Sequence, residues 1–327
     1  MSAADNPEPP KQVERSLGVL PLTFIAAGGI LGSGWLFAPL LTTQLAGPSS
    51  LIAWGIGVLA MILLANTFAE VSGVMPVPGG IARIPRFTHG DISAAVIGWT
   101  AWFGYCSQAP IEVAVMLQYM GFKWPWLFHG APNLSELTFA GYIVAGFFLG
   151  IFVVINALGV KFFAKANSLI TIIKFVIPVI IIFALLTTRF EISNFTEHGG
   201  FAPAGFQGIL AAVSTGGIIF ALIGFRHAID MAGEAKNPGV TIPMALILGL
   251  LIPAVIYIFI QLSFIGALSS EQLTNGWKNL HLTNKFGPLA SVAITLSISW
   301  LTAVIYGGAI VGPLGGALVA TGSTGRL

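Results

Sequence analysis

Residues 28–34 read Gly-Gly-Ile-Leu-Gly-Ser-Gly, and they lie in the middle of the first long apolar stretch of the chain. Glycine weakens a helix by about 1 kcal/mol relative to alanine, so four glycines in seven residues are a weak point. A second weak point, Ser-Thr-Gly-Gly at residues 214–217, lies in a later apolar stretch. The two segments predict a pair of helices that are interrupted near their middle.

The composition around these segments is that of a membrane protein. The chain has 327 residues, of which 56% are hydrophobic and only 8% are charged. A soluble domain carries about 25% charged residues, roughly three times as many. The net charge of +2 gives no reason to expect a nucleic-acid partner, and a single cysteine excludes an intrachain disulfide framework. The composition therefore predicts an all-α integral membrane protein.

The distribution of charge predicts where the helices cross the membrane. Residues 17–69 contain no Asp, Glu, Lys or Arg, a run long enough for two spans of about 20 residues each. Because the apolar runs are continuous rather than alternating, they do not fit a membrane β-barrel. We expect eight spans in one transporter-like domain, residues 17–327, at 17–45, 51–75, 92–121, 136–158, 166–188, 205–231, 242–267 and 287–320.

Residues 1–16 form a polar tail without a basic start or a short apolar core, which does not fit a signal peptide. We expect this tail to be disordered and cytoplasmic. With the N-terminus inside, eight Lys and Arg fall on the inner side and four on the outer side. The positive-inside rule then predicts a multi-pass protein of the plasma membrane with a cytoplasmic N-terminus.

Where a membrane span is interrupted, backbone N–H and C=O groups lose their partners within the helix. Such groups are tolerated only where a cavity or a ligand satisfies them. The N–H groups at the start of a half-helix suit a carboxylate, and free carbonyl groups suit an ammonium. Together these groups describe the two ends of an α-amino acid. Paired broken spans point to a transporter. A channel, an enzyme and tight helix packing are the alternatives.

Four stretches resemble the amino acid–polyamine–organocation (APC) transporters. They are residues 30–37 (ILGSGWLF), 68–80 (ending in MPVPGG), 159–174 and 220–238 (containing GEAKNP), and they follow the family order. The resemblance implies an inverted five-plus-five helix repeat in which helices 1 and 6 are broken around the substrate. It also implies a secondary transporter that uses no cofactor other than a proton.

The chain departs from the family pattern in length. The family usually has twelve spans, so the first five-helix repeat would be complete and the second partial, with helices 6 to 8. Residues 320–327 resemble the inner end of the eighth helix. We interpret the chain as a piece of a longer protein, with a genuine short paralogue as the alternative.

The resemblance also implies substrate ligands on both broken helices. Ser33 and Gly34 would bind the substrate carboxylate. Phe220 would in addition form an aromatic gate. The carbonyl groups that would bind the substrate amino group are those of Ile30, Phe220, Ala221 and Ile223. Ile223 stands where the family often has glycine.

Three charged residues inside predicted spans need an explanation, since such residues are costly there. Lys174 is implied by the resemblance to couple protons, against the simpler interpretation that it snorkels to the interface. Arg226 could contact an acidic substrate side chain, but we favour an internal pair with Asp230 at i,i+4. Glu112 could be a proton site, but we favour a position near the outer interface.

The sequence as a whole predicts a secondary active transporter that imports an amino acid, with proton symport as the coupling. The alternatives are an exchanger of amino acids or polyamines and, if the shortness is natural, a non-transporting scaffold or partner subunit. No catalytic or metal-ligand spacing is present, so we do not expect an enzyme or a metal site. The expected partners are an amino acid and the lipid bilayer. No sequence feature predicts an oligomeric state.

Overall fold

A computed structural model describes residues 15–121, 123–130, 136–280, 282 and 287–327. Most of the predicted tail, residues 1–14, lies outside the described residues. The described part is almost entirely helical, as expected. Two strands of two residues each, β1 (Phe128–His129) and β2 (Glu136–Leu137), pair antiparallel in a loop.

Helices of the first half of the chain are α1 (Val19–Ile30), α2 (Gly34–Ala46), α3 (Ser50–Val74), α4 (Gly80–Gly121), α5 (Phe139–Ala157) and α6 (Val160–Thr188). Those of the second half are α7 (Gly205–Ser214), α8 (Ile218–Leu222), α9 (His227–Asp230), α10 (Pro238–Ala267), α11 (Ser270–Leu273), α12 (Pro288–Thr295) and α13 (Ser299–Thr324).

Among the described residues, six helical segments are long and apolar enough to cross a membrane, with mean hydropathy between 1.8 and 2.9. They are Gly34–Val74, Phe139–Ala157, Val160–Thr188, Gly205–Asp230, Pro238–Ala267 and Ser299–Thr324. Large apolar side chains such as Leu63, Phe139 and Phe147 are more than 60% exposed on the outside of the bundle. An apolar exterior of this kind is satisfied by lipid, so the chain is a multi-pass membrane protein.

Both predicted weak points interrupt a helix. α1 ends at Ile30 and α2 begins at Gly34, so residues 31–33 leave the helical path. In the later segment, α7 ends at Ser214, and Gly217 adopts a positive φ of 86° before α8 begins. A positive φ is accessible to glycine without the steric cost of a side chain, which explains why the break falls there.

Two further irregularities differ from the expected spans. Residues 287–320, expected as one span, form α12 and α13 with a break at Ser297, whose φ is 58°. α4 begins twelve residues before the predicted span 92–121 and bends at Gly90, whose φ of 83° is not helical. The stretch before Gly90 lies between two predicted spans but is helical, and it carries Arg83 and Arg86.

α1 lies in the centre of the bundle. Its side chains Leu22, Ile25 and Ala26 are fully buried, and it is surrounded by α6, α10 and α13. The polar groups at its interrupted end are therefore sealed from lipid. They must find partners inside the protein or in a cavity.

One end of the bundle is closed by backbone pairing around the turn after α9. The N–H groups of Ser16 and Leu17 donate to the Glu234 carbonyl at 3.0 and 2.9 Å, and the Lys236 N–H donates to the Leu17 carbonyl at 2.7 Å. The Arg326 guanidinium binds the Glu234 carboxylate at 3.0 Å. These bonds hold the start of α1 against the chain that follows α9.

Candidate functional site

A cavity of about 160 Å³ lies between the two interrupted helices. Its lining includes every substrate ligand implied by the sequence, namely Ile30, Ser33, Gly34, Phe220, Ala221 and Ile223. Arg226, Glu112 and Gln108 also line it. The structure thus brings together residues that are up to 196 positions apart in the chain.

Glycine allows the two interrupted helices to approach so closely. A side chain at Gly224 would collide with the backbone of Gly29 and Ile30. A Cβ at Gly34 would lie 3.0 Å from the Tyr257 hydroxyl and 3.3 Å from the Ala221 Cβ. Backbone from both helices therefore reaches the cavity without side chains in between.

The carbonyl of Ile30 faces the cavity but already has partners. It accepts hydrogen bonds from the Tyr257 hydroxyl and from the Gly32 N–H, both at 2.8 Å. The ring of Tyr257 is stacked on Trp54, with the ring centres 5.0 Å apart, which fixes its position. A substrate ammonium could bind Ile30 only by replacing one of these donors.

The N–H of Ser33, expected to bind a substrate carboxylate, binds a carboxylate of the protein. Glu112 of α4 accepts this hydrogen bond through Oε2 at 3.0 Å, and its side chain is only 7% exposed. A Cβ at Gly32 would collide with the same carboxylate. The favoured position of Glu112 near the outer interface is therefore wrong, because its side chain reaches the centre of the bundle.

Lys174 is buried and binds the other side of the same break. Its side chain is 2% exposed, and Nζ donates to the Gly28 carbonyl at 2.5 Å. Asn167 and Thr171, on the same face of α6, donate to the Phe24 carbonyl at 3.0 and 3.3 Å. These three polar residues of α6, at positions i, i+4 and i+7, thus contact the backbone of α1. The Lys174 side chain therefore points into the protein and does not snorkel to the membrane interface.

Glu112 and Lys174 lie against adjacent glycines of α13. A Cβ at Gly315 would be 2.8 Å from Lys174 Nζ, and one at Gly316 would be 3.1 Å from the Glu112 carboxyl carbon. Both charges are therefore placed behind the break in α1, in space that the two glycines leave open, and they are close enough to influence each other.

On the second interrupted helix the predicted ligands differ in exposure. Ala221 is 8% exposed, whereas the Phe220 side chain is 72% exposed and still lines the cavity. The Phe220 carbonyl accepts the Ile223 N–H, so it is used within the helix in this conformation. Phe220 is placed where an aromatic side chain could cover the opening of the cavity.

Arg226 lines the cavity and packs over an aromatic ring rather than forming the favoured pair. Its guanidinium carbon lies 4.5 Å from the centre of the Tyr105 ring. Within the described part of the chain, no ion pair joins Arg226 to Asp230, and Arg226 Nε has no hydrogen-bond partner. Residues 227–230 are α-helical, so the i,i+4 spacing itself is kept; the guanidinium takes the Tyr105 ring as its neighbour instead of the carboxylate.

A larger groove of about 840 Å³ lies elsewhere, lined by residues such as Leu41, His198, Trp277 and Lys278. It is bordered by loops and the ends of helices and does not reach the break at residues 31–33. The smaller cavity is lined by residues of both broken helices and by two buried or half-buried charged residues, Glu112 and Arg226. We therefore regard the smaller cavity as the functional site.

A helical bundle with a small cavity between two interrupted membrane helices has the architecture of a solute carrier. Residues 17–327 match the family model described as amino acid permease, so the chain belongs to the amino acid permease family of the APC superfamily. This family and its relatives are transporters, not enzymes.

Curated relatives agree with this assignment. The chain is 38% identical to the glutamate/serine transporter AimA of Bacillus subtilis over 97% of its length, and 35% identical to the aspartate-proton symporter of the same organism over 96%. It is 25% identical over 92% to the branched-chain amino acid permease BcaP, also of Bacillus subtilis. The chain spans 59% of the length of each of the first two relatives and 63% of the third.

Proposed function

We propose that this protein is a secondary active transporter that imports an amino acid by proton symport. The observation that carries the proposal is the hydrogen bond from the Ser33 N–H to a carboxylate, made at the edge of the cavity. The bond supports the view that the break in α1 is a carboxylate site. In the structure the Glu112 side chain occupies this site.

In this proposal the protein lies in the plasma membrane with eight spans and a cytoplasmic N-terminus. The distribution of Lys and Arg supports this orientation. The end of the bundle closed by Glu234 and Arg326 is then the cytoplasmic end. Because Phe220 is largely exposed, substrate would reach the cavity past its ring from the outside.

A bound amino acid would use the backbone of both interrupted helices. Its carboxylate would replace that of Glu112 at the N–H groups of Ser33 and Gly34. Its ammonium would bind carbonyl groups of the two breaks, those of Ile30, Phe220, Ala221 and Ile223. For Ile30, this requires the Tyr257 hydroxyl to move aside.

The size and charge of the cavity favour a small or acidic substrate. A volume of about 160 Å³ is below the roughly 300 Å³ at which drug-sized pockets begin. Arg226 borders the cavity without an anionic partner in the described residues, so a substrate side-chain carboxylate could bind it. Relatives named for glutamate, serine and aspartate transport support this choice.

Lys174 is the proposed proton-coupling residue. In its protonated form it donates to the Gly28 carbonyl and ties α6 to the broken end of α1. Loss of the proton removes a cation from beside Glu112 and weakens this tie, which lets α1 move relative to α6. Protonation of Lys174 and binding of substrate would then shift the same equilibrium between two positions of α1. Each would therefore change the affinity for the other by the same factor.

The test is uptake into proteoliposomes. Radiolabelled glutamate, aspartate, serine and leucine are compared with an inward pH step, with and without sodium. We expect accumulation of the acidic or small amino acids that rises with the proton gradient and needs no sodium. Strict sodium dependence would contradict proton symport, and exchange without net accumulation would favour the exchanger.

The variant Lys174→Ala tests the coupling residue. It should lose accumulation driven by the gradient while retaining exchange of substrate across the membrane. Lys165→Ala is a matched control, since this exposed lysine lies on the same helix. Full accumulation by Lys174→Ala would exclude the proposed role, and absence of both transport and binding by the unmodified protein would favour a scaffold.

A further inference from the structure

Asp230 is a buried carboxylate that the proposed transport mechanism does not use. It lies at the end of α9, four residues after Arg226, and its side chain is 0% exposed. Among the described residues, neither of its oxygens accepts a hydrogen bond. A charged carboxylate in such a place is unfavourable unless a cation acts on it or a proton neutralises it.

The surroundings of Asp230 hold one cation whose charge acts on it. That cation is Arg226, and the polar groups nearest to the carboxylate are the Tyr105 hydroxyl of α4, the Ser323 hydroxyl of α13 and the Ile81 N–H. His227 lies on the same helix, and its Nδ1 is hydrogen-bonded to the Ser323 hydroxyl at 2.8 Å.

The other elements around α9 add no free charge in the described residues. α1 and α10 contain no Asp, Glu, Lys, Arg or His. The turn at Ala232–Glu234 contributes Glu234, which is held by Arg326. Burial disfavours the charged form of Asp230, and among the cations of the described residues it is Arg226 that favours that form.

Arg226 lines the cavity and lies one helical turn before Asp230, and within the described residues it forms no ion pair with that carboxylate. The face of the Tyr105 ring supports its guanidinium between them at 4.5 Å, a contact that holds a cation without using its N–H groups. The guanidinium is therefore free to turn toward an anion on either side. A substrate side-chain carboxylate in the cavity would compete with Asp230 for it.

We propose that Asp230 is a proton-binding site that is filled only when the substrate is acidic. This inference rests on the proposed function. A glutamate or aspartate side chain draws Arg226 toward the cavity, Asp230 loses the cation, and one proton from solution converts its carboxylate to a carboxylic acid. A neutral amino acid leaves Arg226 beside Asp230, and no proton is taken up there.

This arrangement balances charge between substrates. An acidic amino acid brings one more negative charge than a neutral one, and the proton on Asp230 offsets it. The same net charge would then move with either kind of substrate. A single carrier could accept both kinds with similar dependence on the membrane potential.

The test counts protons on binding. The purified protein in weak buffer with a pH-sensitive dye is saturated with glutamate or with serine, and proton uptake is measured per bound amino acid. We expect one more proton for glutamate than for serine. In Asp230→Asn the difference should vanish while both amino acids still bind, and Asp91→Asn, an exposed control carboxylate, should preserve it.

A second measurement does not depend on any variant. If one extra proton accompanies glutamate, its Kd should rise up to tenfold more per pH unit than that of serine in the pH range where Asp230 is ionised in the free protein but protonated in the glutamate complex. Equal proton counts for the two amino acids, or a difference that persists in Asp230→Asn, would overturn the inference while leaving amino acid binding intact. Failure of both amino acids to bind would overturn the proposed function as well.

Discussion

Replacing Gly34 tests whether the break in α1 is the carboxylate site. A Cβ at this position would lie 3.0 Å from the Tyr257 hydroxyl and 3.3 Å from the Ala221 Cβ, which is tighter than ordinary contact. Alanine therefore requires small shifts of these neighbours. Valine adds two more methyl groups in the same place and fills space that the substrate carboxylate needs.

The expected loss can be estimated from this crowding. Adding methyl groups to a well-packed interior costs about 1–3 kcal/mol. If the free protein relaxes and the cost falls on binding, the Kd for glutamate should rise roughly 5- to 150-fold. The assay is equilibrium binding of radiolabelled glutamate to purified Gly34→Val, with membrane insertion checked by size-exclusion chromatography in detergent.

Gly55→Val is the matched control. Gly55 lies in α3, and a Cβ there would meet nothing within 4 Å. This variant should bind glutamate like the unmodified protein. Unchanged affinity in Gly34→Val would show that the substrate does not approach this backbone, and the assignment of Ser33 and Gly34 would have to be given up.

Two further variants separate the roles of side chains at the cavity. In a competition assay for uptake, Arg226→Gln should weaken competition by glutamate and aspartate at least tenfold and leave competition by serine nearly unchanged. Equal competition by acidic and neutral amino acids, before and after the change, would contradict a contact between Arg226 and the substrate side chain. Tyr257→Phe should cost about 0.5–1.5 kcal/mol of stability, visible as a lower Tm, because the Ile30 carbonyl loses its 2.8 Å bond. Its glutamate affinity should not fall, because that carbonyl becomes available to the substrate ammonium; a Kd more than fivefold higher would mean that the hydroxyl itself binds substrate.

The interrupted helices could be predicted because their cause is local. Glycine lowers helix stability wherever it occurs, so residues 28–34 and 214–217 show the breaks in the sequence itself. The break at Ser297 has no such signal, since neither glycine nor proline stands at residues 296–298. There the path of the chain is set by packing of α12 and α13, which one-dimensional patterns do not record.

The sequence shows which charged residues lie in apolar spans, but it does not show which groups they contact. Glu112 was visible as a carboxylate in an apolar span, but nothing in α4 indicates that it reaches Ser33, 79 residues earlier in the chain. Its place depends on the empty space at Gly32 and Gly316. Glycines on facing helices are a weak signal for such a pocket, because they serve close packing equally well.

The spacing of Arg226 and Asp230 did not predict the contacts of Arg226. Residues 227–230 are α-helical, as the i,i+4 relation requires, yet the Arg226 guanidinium packs over the Tyr105 ring of α4. Helical spacing shows which side chains of one helix could pair. It does not show whether a side chain of another helix competes for the cation.

The pairing of residues 16–17 with residues 234–236 reduces the number of independent motions in the bundle. Two helices that each bend in the middle could tilt independently of each other. Some combinations of their tilts would then separate the helices at both ends of the bundle. Because the start of α1 is bonded to the chain that follows α9, we expect the two half-helices at this end to tilt together about the bends at residues 31–33 and 215–217. Such coupling would disfavour arrangements in which only one of them moves.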